Sequence, residues 1–514
     1  MLPRTMDRLI DLLLNKGHFL RIVFIYLMVL FALRVALFPG ASEDDAEQLI
    51  YAQMWAWGYK ANQPPLYTWL VILSQYLFGV TIFAVEAVKF VCLLMLYGFL
   101  TSASYLIVKD RLYSMLCGLS LVGIYHVGWD VVMNYSNTAL MGAAVGASFW
   151  ALFRLLETPS RSGYLWLGLA VGVGLLSKYN FAFVLVPMVI AGLMTKDLRA
   201  RLCSPQILVS LVVIVVLISP HTYWFLTDPA GMQSAVINNL HVDTSATYLF
   251  DVGKGLWSGG RAVVGFLVPF AAIALLIFWR PVFNPGSMSA LASTANRFVS
   301  IYFLSFIGLA VLGVVVFRLG EFQNHWMMVL IPAPLFLVLR LHSAKVSAQR
   351  LGVYVSVLSV LAVAVLIGVG VRYATGPQKC RKCNFFMPYE ELATELKAAG
   401  FNKGTLITID YPNQIGGNLK RYFPEARISG TRYGTFLPPK VVESGECYIL
   451  WNAVFDVIPG SWSSARAFAG AHYGVKSDIK WPVKTIEAEI KRSGGRKVQL
   501  AYVVVPDTHK ANCN

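Results

Sequence analysis

The sequence has few charged residues. Only 14% of its 514 residues are Asp, Glu, Lys or Arg, against roughly 25% in ordinary soluble domains. Hydrophobic residues make up 57%, which leaves too little polar surface to cover several water-soluble cores. The same balance excludes a disordered chain, which needs few hydrophobic and many charged residues. The composition therefore predicts a protein that crosses a lipid bilayer several times.

Acidic residues are scarcer than basic ones, 27 against 43, so the formal net charge is +16. In a soluble protein this excess would be typical of nucleic-acid binding. Here no basic run carries the interleaved aromatic residues that single-strand binding needs, and basic residues normally crowd the cytoplasmic ends of membrane spans. We therefore expect the lipid bilayer as a partner and no nucleic acid.

Two kinds of binding motif are missing. The sequence has no glycine-rich nucleotide loop, which favours a lipid-linked substrate over a nucleotide-linked one. It also has no set of His, Cys and acidic residues with convincing metal-ligand spacing. We expect no metal site and no required cofactor, although the acids described below leave a divalent cation open.

Long apolar segments dominate the first 372 residues. Eleven are candidate membrane spans, for which roughly 20 residues are needed: 20–38, 82–108, 112–127, 137–155, 164–177, 181–195, 206–224, 260–279, 298–316, 326–341 and 351–371. The segment 64–79 is apolar but short and opens with Pro64-Pro65. It is predicted to be an interfacial or half-buried helix.

The loops between these segments differ in charge. If the N-terminus is cytoplasmic, the basic residues gather on the cytoplasmic side, which is the usual bias; they include Arg111, Arg154, Arg199, Arg280 and Arg350. The first loop, 39–81, then lies outside the cytoplasm, and so does the segment 373–514. The bias predicts a membrane protein with a cytoplasmic N-terminus and its C-terminal domain on the extracytoplasmic side.

Residues 373–514 have a different pattern. Short apolar runs alternate with turn signals, and one amphipathic helix pattern occurs at Tyr389–Ala399. Strand and helix signals that alternate in this way predict a small α/β domain. The predicted strands are Thr405–Ile409, Tyr448–Trp451 and Gln499–Val505.

The seven cysteines fall into two groups. Three are predicted to be small core residues in spans: Cys92, Cys117 and Cys203. Four lie in the predicted outer domain, where disulfides persist: Cys380, Cys383, Cys447 and Cys513. A structural disulfide is favoured, a redox or zinc motif at Cys380-Arg-Lys-Cys383 is the alternative, and the pairing is open.

The most informative stretch is the acidic loop, by which we mean residues 39–81. Four carboxylates stand within five residues, at Glu43, Asp44, Asp45 and Glu47, just before a helical pattern. Ser42 and Asp45 could form a capping box, and acids favour a helix N-terminus, which accounts for one or two of the four. The functional interpretation is an ionised carboxylate held at the membrane boundary as a general base.

Several motifs resemble one family. The acidic loop, with Asp44-Asp45-Ala46, Trp57-Gly58-Tyr59 and Pro64-Pro65, resembles the first outer loop of bacterial GT-C glycosyltransferases. These enzymes are relatives of the protein O-mannosyltransferases, and they include the lipid A aminoarabinose transferase and rhizobial lipopolysaccharide galacturonosyltransferases. Further matches are Ser177-Lys178-Tyr179, Ser219-Pro220-His221, Asn324-His325-Trp326 and Gly416-Gly417-Asn418.

The resemblance implies a fold and a reaction. The fold is a polytopic α-helical membrane domain of GT-C type, residues 1–372 with about eleven transmembrane helices, followed by a small α/β domain, 373–514. The reaction is an inverting transfer of a sugar from a polyprenyl-phosphate donor to an envelope acceptor at the periplasmic face. The acceptor would be lipid A, lipopolysaccharide core or another lipid or glycan.

The resemblance also implies catalytic residues. Asp44 matches the first acid of the family's Asp-Glu pair, the catalytic one, and Asp45 stands where the family often has Glu. Glu47 and Gln48 replace two aromatic residues, and Gln63 replaces a lysine before Pro-Pro. The residues predicted to bind the donor phosphate or sugar are Tyr59, Lys60, Gln63, Lys178, Tyr179, Arg261, Arg318 and His325.

Some of these polar residues have structural alternatives. Lys178 could be a snorkelling residue at the interface, Lys60 could anchor an interfacial helix, and His221 is expected to be structural. Glu86 and Lys89 are three residues apart in a predicted span. They would share a helix face and could pair, near the outer end where water has partial access.

Three other functions remain open. A protein O-glycosyltransferase would use the same fold with a different acceptor. A transporter or lipid flippase would have charged residues deep in the bundle and a repeat between its halves, but the polar residues gather at the outer ends and the first loop is not repeated. A sensor whose outer domain binds a ligand would not need the acidic loop.

Overall fold

The computed structural model describes residues 18–59, 63–227, 247–380, 383–410, 414–431, 436–439, 445–453, 467, 470 and 482–506. Over this part the chain is mostly helical, with one five-stranded sheet near its end. The helices are α1 His18–Leu37, α2 Glu43–Tyr51, α3 Leu66–Phe78, α4 Ile82–Val108, α5 Arg111–Leu119, α6 Val131–Met133, α7 Ser136–Glu157, α8 Arg161–Ser177, α9 Ala182–Met194, α10 Lys196–Leu202, α11 Ile207–Thr227, α12 Tyr248–Leu267, α13 Phe270–Phe283, α14 Ala290–Phe317, α15 Ala333–Ser343, α16 Ala348–Lys379, α17 Tyr389–Ala398 and α18 Ile415–Lys420.

Seven helical segments of the described chain are long and apolar enough to cross a membrane. They are α1, α4, α7, α11, α14, α16 and the continuous stretch Asn324–Ser343 that includes α15. An eighth span is possible only as a bent pair, Tyr179–Met194 followed by Lys196–Leu202 at 112°. These segments coincide with eight of the predicted spans, and the predicted count of eleven is not confirmed.

The remaining three predicted spans are interrupted or short. The predicted span 260–279 is divided, because Pro269 has no N–H to continue the helix: α12 ends at Leu267 and α13 begins at Phe270. The predicted span 112–127 is divided into α5, a 3-10 turn and a π turn at His126–Asp130. The third, 164–177, lies within the 17 residues of α8.

The C-terminal domain contains the predicted helix and strands. Its strands are β1 Gly404–Thr408, β2 Arg427–Gly430, β3 Glu446–Asn452, β4 Lys484–Glu489 and β5 Lys497–Val504. They pair in the order β2-β1-β3-β5-β4, with β1 parallel to β2 and β3 and the other pairs antiparallel. The mixed sheet and α17 confirm the small α/β domain, although α16 continues to Lys379, beyond the predicted boundary at 372.

Two of the cysteine predictions hold and one is wrong. Cys380 and Cys383 form a disulfide, and Cys447 is also disulfide-bonded, whereas Cys513 lies outside the described residues. Cys92 and Cys117 are buried in helices as predicted. Cys203 is exposed in the turn after α10, because the preceding apolar helix ends earlier, at Met194, and the chain bends there.

The C-terminal domain packs directly on the acidic loop. The Gln53 side-chain amide donates to the Ile428 carbonyl at 2.8 Å and accepts from the Ile428 N–H at 2.9 Å, as a neighbouring strand would. The Asn418 side chain accepts from the Ala41 N–H at 2.8 Å. At Gly417 an added Cβ would lie 2.0 Å from the Ala46 carbonyl oxygen, so only glycine permits this approach. The acidic loop is therefore held between the helical bundle and the domain.

Candidate active site

The acids of the loop begin a short capped helix. Ser42 is the N-cap of α2, and its hydroxyl accepts a hydrogen bond from the Asp45 N–H at 3.2 Å. The same hydroxyl donates to the Asp45 carboxylate. Ala46, Leu49 and Ile50 are buried, as the apolar spacing of the sequence predicts. Capping therefore accounts for Asp45 but not for Asp44.

Asp45 belongs to a buried ion quartet, by which we mean Arg34, Asp45, Glu86 and Lys89. Lys89 Nζ lies 3.0 Å from Asp45 Oδ1 and 3.1 Å from Glu86 Oε2. Arg34 Nε lies 2.9 Å from Glu86 Oε1, and an Arg34 terminal nitrogen lies 3.7 Å from Asp45 Oδ2. All four side chains are fully buried. The predicted Glu86–Lys89 pair is thus present, but its expected partial hydration is wrong because α1 and α2 cover it.

The quartet determines the ionisation of Asp45. Burial alone would raise its pKa, but Lys89 and Arg34 outweigh burial, and hydrogen bonds from the Ser136 and Ser42 hydroxyls add to their effect. The pKa of Asp45 is lowered to about 2. Two cations and two carboxylates cancel, which is how buried charges are normally accommodated. Asp45 is therefore ionised at neutral pH, and both of its carboxylate oxygens already have partners.

Asp44 lacks the close cations and hydrogen-bond donors that the described residues place around Asp45. Its side chain is half-buried, and no described residue donates a hydrogen bond to it. Burial raises its pKa to about 7; the nearby carboxylates of Glu47 and Asp45 add to the rise, while Lys178 and Lys89 oppose it. A carboxylate with free lone pairs and a pKa near neutrality is suited to accept a proton in a reaction.

Lys178 faces Asp44 from another helix. It follows α8 directly, and its Nζ donates to the Thr138 hydroxyl on α7 at 3.2 Å. Burial lowers its pKa, and the charges of Asp44 and Glu47 counteract that effect. Only one of its three N–H donors has a partner among the described residues. The free donors could bind an anionic group next to Asp44.

Aromatic and imidazole rings line the space beside Asp44 and Lys178. Tyr135 stacks on His325 with ring centres 5.3 Å apart and contacts His126 at 5.1 Å. His126 Nδ1 lies 3.1 Å from Asp130 Oδ2, and its Nε2 has no partner among the described residues. Burial raises the pKa of Tyr135 to about 12, with the charges of Asp130 and Asp44 adding to the rise. These rings and Asp44 therefore share one electrostatic environment.

Comparison with known proteins finds similar glycosyltransferases. The model for dolichyl-phosphate-mannose-protein mannosyltransferases matches residues 62–224. The lipopolysaccharide core galacturonosyltransferases RgtA and RgtB of Rhizobium johnstonii are 26% and 25% identical, over 87% and 80% of this chain and 90% and 83% of theirs. The crystal structure of ArnT from Cupriavidus metallidurans bound to undecaprenyl phosphate has a TM-score of 0.60 at 14% identity, covering 95% of this chain and 98% of that one.

The chain has the fold of ArnT and is similar in sequence to GT-C glycosyltransferases of the protein-mannosyltransferase-like superfamily. The apo form of the same ArnT gives a TM-score of 0.57 at 13% identity. The resemblance inferred from the sequence motifs is thereby confirmed.

The loop residue Gln63 contacts the start of α7. The Asn137 side-chain amide donates to Gln63 Oε1, and Asn137 precedes the Thr138 that binds Lys178. Tyr59 is buried, stacks on Tyr51 at 5.4 Å and donates to the Met54 carbonyl at 2.9 Å. Tyr59 therefore stabilises the conformation of the acidic loop. Lys60 lies outside the described residues.

Tyr179 is hydrogen-bonded to a histidine. The Trp57 carbonyl can only accept, so His221 Nδ1 donates to it at 2.8 Å, and His221 Nε2 accepts from the Tyr179 hydroxyl at 2.9 Å. Both ring nitrogens of His221 are used, as a structural histidine requires. This chain of hydrogen bonds connects the end of α8 to the acidic loop.

Two predicted cations have other surroundings. Arg318 is 3.9 Å from Asp251 and sits over the Tyr248 ring. Arg261 is exposed on α12 and forms no ion pair with a described residue. Of the predicted site, the structure couples Asp44 electrostatically to Lys178 and stacks His325 on Tyr135.

The sequence argument missed several residues of the site. Thr138, Tyr135 and the His126–Asp130 pair were not predicted, although His126 and Asp130 are four residues apart in a polar interruption of an apolar run. That interruption was the available signal. Arg34 was not predicted either, because nothing in its own neighbourhood in the sequence identifies its partners.

Proposed function

We propose that this protein is an inverting glycosyltransferase that moves a sugar from a polyprenyl-phosphate donor to lipopolysaccharide core or lipid A. The observation that carries the proposal is the half-buried Asp44 carboxylate, which has no hydrogen-bond donor among the described residues and lies opposite a lysine with free N–H donors. A base and a phosphate-binding cation are the two groups that such a transfer needs.

An apolar groove supports a lipid-linked donor. Along α7 the groove runs from Leu140 to Trp150, and Trp150 pairs with Trp166 of α8 at a ring-centre distance of 6.0 Å. At ~1.5 Å per helical residue the groove extends for about 15 Å, and the hydrogen-bonded Thr138 and Lys178 lie beyond its Leu140 end. Its lining is almost entirely apolar and includes Met95, Phe99, Ala143, Ala147 and Val173. An isoprenoid chain in this groove would deliver its phosphate to Lys178.

These groups account for the proton, the bonds and the leaving group of the reaction. An acceptor hydroxyl attacks the anomeric carbon from the face opposite the phosphate, and Asp44 takes the hydroxyl proton. A new carbon–oxygen bond forms as the bond from the anomeric carbon to the phosphate oxygen breaks. The bonding electrons leave with the lipid phosphate, whose growing charge Lys178 stabilises. Attack from the opposite face inverts the anomeric centre. Asp45 keeps α2 in place, and no cofactor takes part in this scheme.

The names of two relatives support lipopolysaccharide core and a hexuronic acid, while lipid A and a pentose come from the resemblance of the sequence motifs. RgtA and RgtB are named as lipopolysaccharide core galacturonosyltransferases, and the ArnT structure is described with undecaprenyl phosphate. We therefore propose a hexuronic acid or a pentose as the sugar. The basic loops on one side of the bundle and the Cys380–Cys383 disulfide support a bacterial inner-membrane location with the site in the periplasm.

Mass spectrometry of envelope glycolipids tests this function. A strain without the protein should lack one sugar mass on lipid A or core oligosaccharide, and the wild-type gene should restore it. Glu43→Gln is the matched control, since Glu43 is exposed and adjacent to Asp44; it should restore the mass, while Asp44→Asn should not. Unchanged lipid A and core in the deletion strain would contradict the proposed acceptor.

Replacing Lys178 is expected to change the pH dependence of transfer. Asp44 is a base only above its pKa of about 7, so kcat should rise as pH increases through about 7. Lys178 lowers that pKa, and Lys178→Gln should therefore move the rising limb to higher pH and lower the plateau. A pH profile of kcat for the purified protein measures both effects. If the limb stays at the wild-type pH, Lys178 does not face Asp44 during turnover.

A further inference from the structure

A basic pocket lies where α13 ends and the turn before α16 begins. It has a volume of about 620 Å³ and is lined by Trp279, Arg280, Asn284, Lys345, Ser347 and Arg350, among others. The residues come from two chain segments, 279–284 and 344–350, that are sixty positions apart in the sequence, so the pocket is a product of the fold. Nothing in the proposed transfer reaction uses it.

The charges of the pocket have one sign. Arg280, Lys345 and Arg350 are exposed, and no acidic residue lines the pocket. None of the three forms an ion pair with a described residue. Three converging cations without a carboxylate repel one another, and an anion bound between them would relieve that repulsion.

The pocket continues along the apolar surface of the bundle. An adjoining cavity of about 380 Å³ shares Trp279 and Arg350 with it and is otherwise lined by Leu276, Ile277 and Val353, with Gln349 at its edge. Leu276 is 84% exposed, so this surface faces lipid in a membrane. Trp279 stands between the two cavities, where an amphipathic ring normally marks the membrane interface.

This pocket lies at the end of the bundle opposite the acidic loop. Arg372 is 22 residues beyond Arg350 in α16, which corresponds to about 33 Å of helix. The Arg372 guanidinium sits over the Phe385 ring, and Arg34 of the buried ion quartet sits on the same ring. The distance is close to the thickness of a bilayer core, ~30 Å. The pocket and the acidic loop therefore lie at opposite membrane faces.

We infer that the basic pocket binds the phosphate head group of an anionic membrane phospholipid, with an acyl chain along Leu276, Ile277 and Val353. A basic pocket between helices at the cytoplasmic face is a recognised form of head-group site. The positive-inside bias explains why cations occur at this face, but it needs neither a shared cavity nor an apolar extension at its mouth. The combination matches a lipid, with a charged head and an apolar chain, better than a free anion.

Lipid titration of the full-length protein in detergent tests the inference. Native mass spectrometry would measure binding of phosphatidylglycerol, with phosphatidylcholine as the neutral comparison. Each interfacial cation contributes roughly fivefold in affinity, so Arg280→Gln/Arg350→Gln should weaken phosphatidylglycerol binding roughly 25-fold. Arg199→Gln/Arg297→Gln removes the same charge from exposed positions on α10 and α14 and should keep wild-type binding.

Two further outcomes would overturn the inference. Equal loss of binding in the two double variants would mean that phosphatidylglycerol responds to net charge and not to the pocket. Glycerol phosphate, which has the phosphate but no acyl chain, should compete at least tenfold more weakly than phosphatidylglycerol. If it competes equally well, the pocket takes a free phosphate and the apolar extension contributes nothing. Because the readout is binding, it is independent of the proposed transfer reaction.

Discussion

Replacing Asp44 by Asn is expected to lower kcat by a factor of 10²–10⁴, the usual contribution of a positioned general base. The amide cannot accept the acceptor's proton, and its size leaves the packing of α2 unchanged. Single-turnover transfer from a purified polyprenyl-phosphate sugar measures the effect, and donor binding measured separately should stay near the wild-type value. The loss should persist at every pH, since Asn has no titrating group.

A neighbouring variant distinguishes this role from a general charge effect. Glu43→Gln removes one negative charge from an exposed position one residue away and should keep kcat within a few fold of wild type. Asp44→Glu keeps the charge but moves the carboxylate outward, so it should retain only part of the activity. Transfer by Asp44→Asn at the wild-type rate would assign the base elsewhere in the protein.

Lys89→Met is expected to reduce the free energy of unfolding by about 3–5 kcal/mol, the usual cost of breaking a buried ion pair. The change leaves two buried carboxylates, Asp45 and Glu86, against the single cation Arg34. Thermal unfolding in detergent measures the loss as a large fall in Tm. The variant should also lower transfer activity, because Lys89 helps to hold Asp45 at the start of α2.

A second substitution should restore much of this stability. Glu86→Gln in the Lys89→Met background removes the surplus carboxylate and leaves Arg34 with Asp45 as a balanced pair. The double variant should therefore be more stable than Lys89→Met alone, and the two single effects should not add. Additive losses in the double variant would show that the four residues do not act as one network.

The composition and hydrophobic pattern predicted much of the fold because each long helix satisfies its own backbone groups and must be apolar to lie in lipid. The segments 82–108 and 137–155 are single helices for that reason. The prediction failed at 260–279 and 112–127, where hydrophobicity stays high but the backbone breaks. Hydropathy measures compatibility with lipid and carries little information about backbone geometry.

In the acidic loop, too, the sequence predicts some features and only the tertiary structure decides others, here for single residues. Four acids after a span, together with the family motifs, predicted a site around Asp44. The sequence left several roles open for Asp45, because the residue type alone does not show which partners a carboxylate has. Successive residues of a helix point about 100° apart, so Asp44 and Asp45 meet different partners although they are adjacent.

The sequence by itself determined the class of protein, the position of most long helices and the small α/β domain, and it predicted the acidic loop as the candidate site. These depend on local composition and short motifs. Only the tertiary structure decided which acid is free, since Arg34, Glu86 and Lys89 come to Asp45 from two other helices. It also decided that Lys178 faces Asp44, that the C-terminal domain holds α2, and that three distant cations share one pocket. Long-range contacts of this kind are set by packing, which no local pattern encodes.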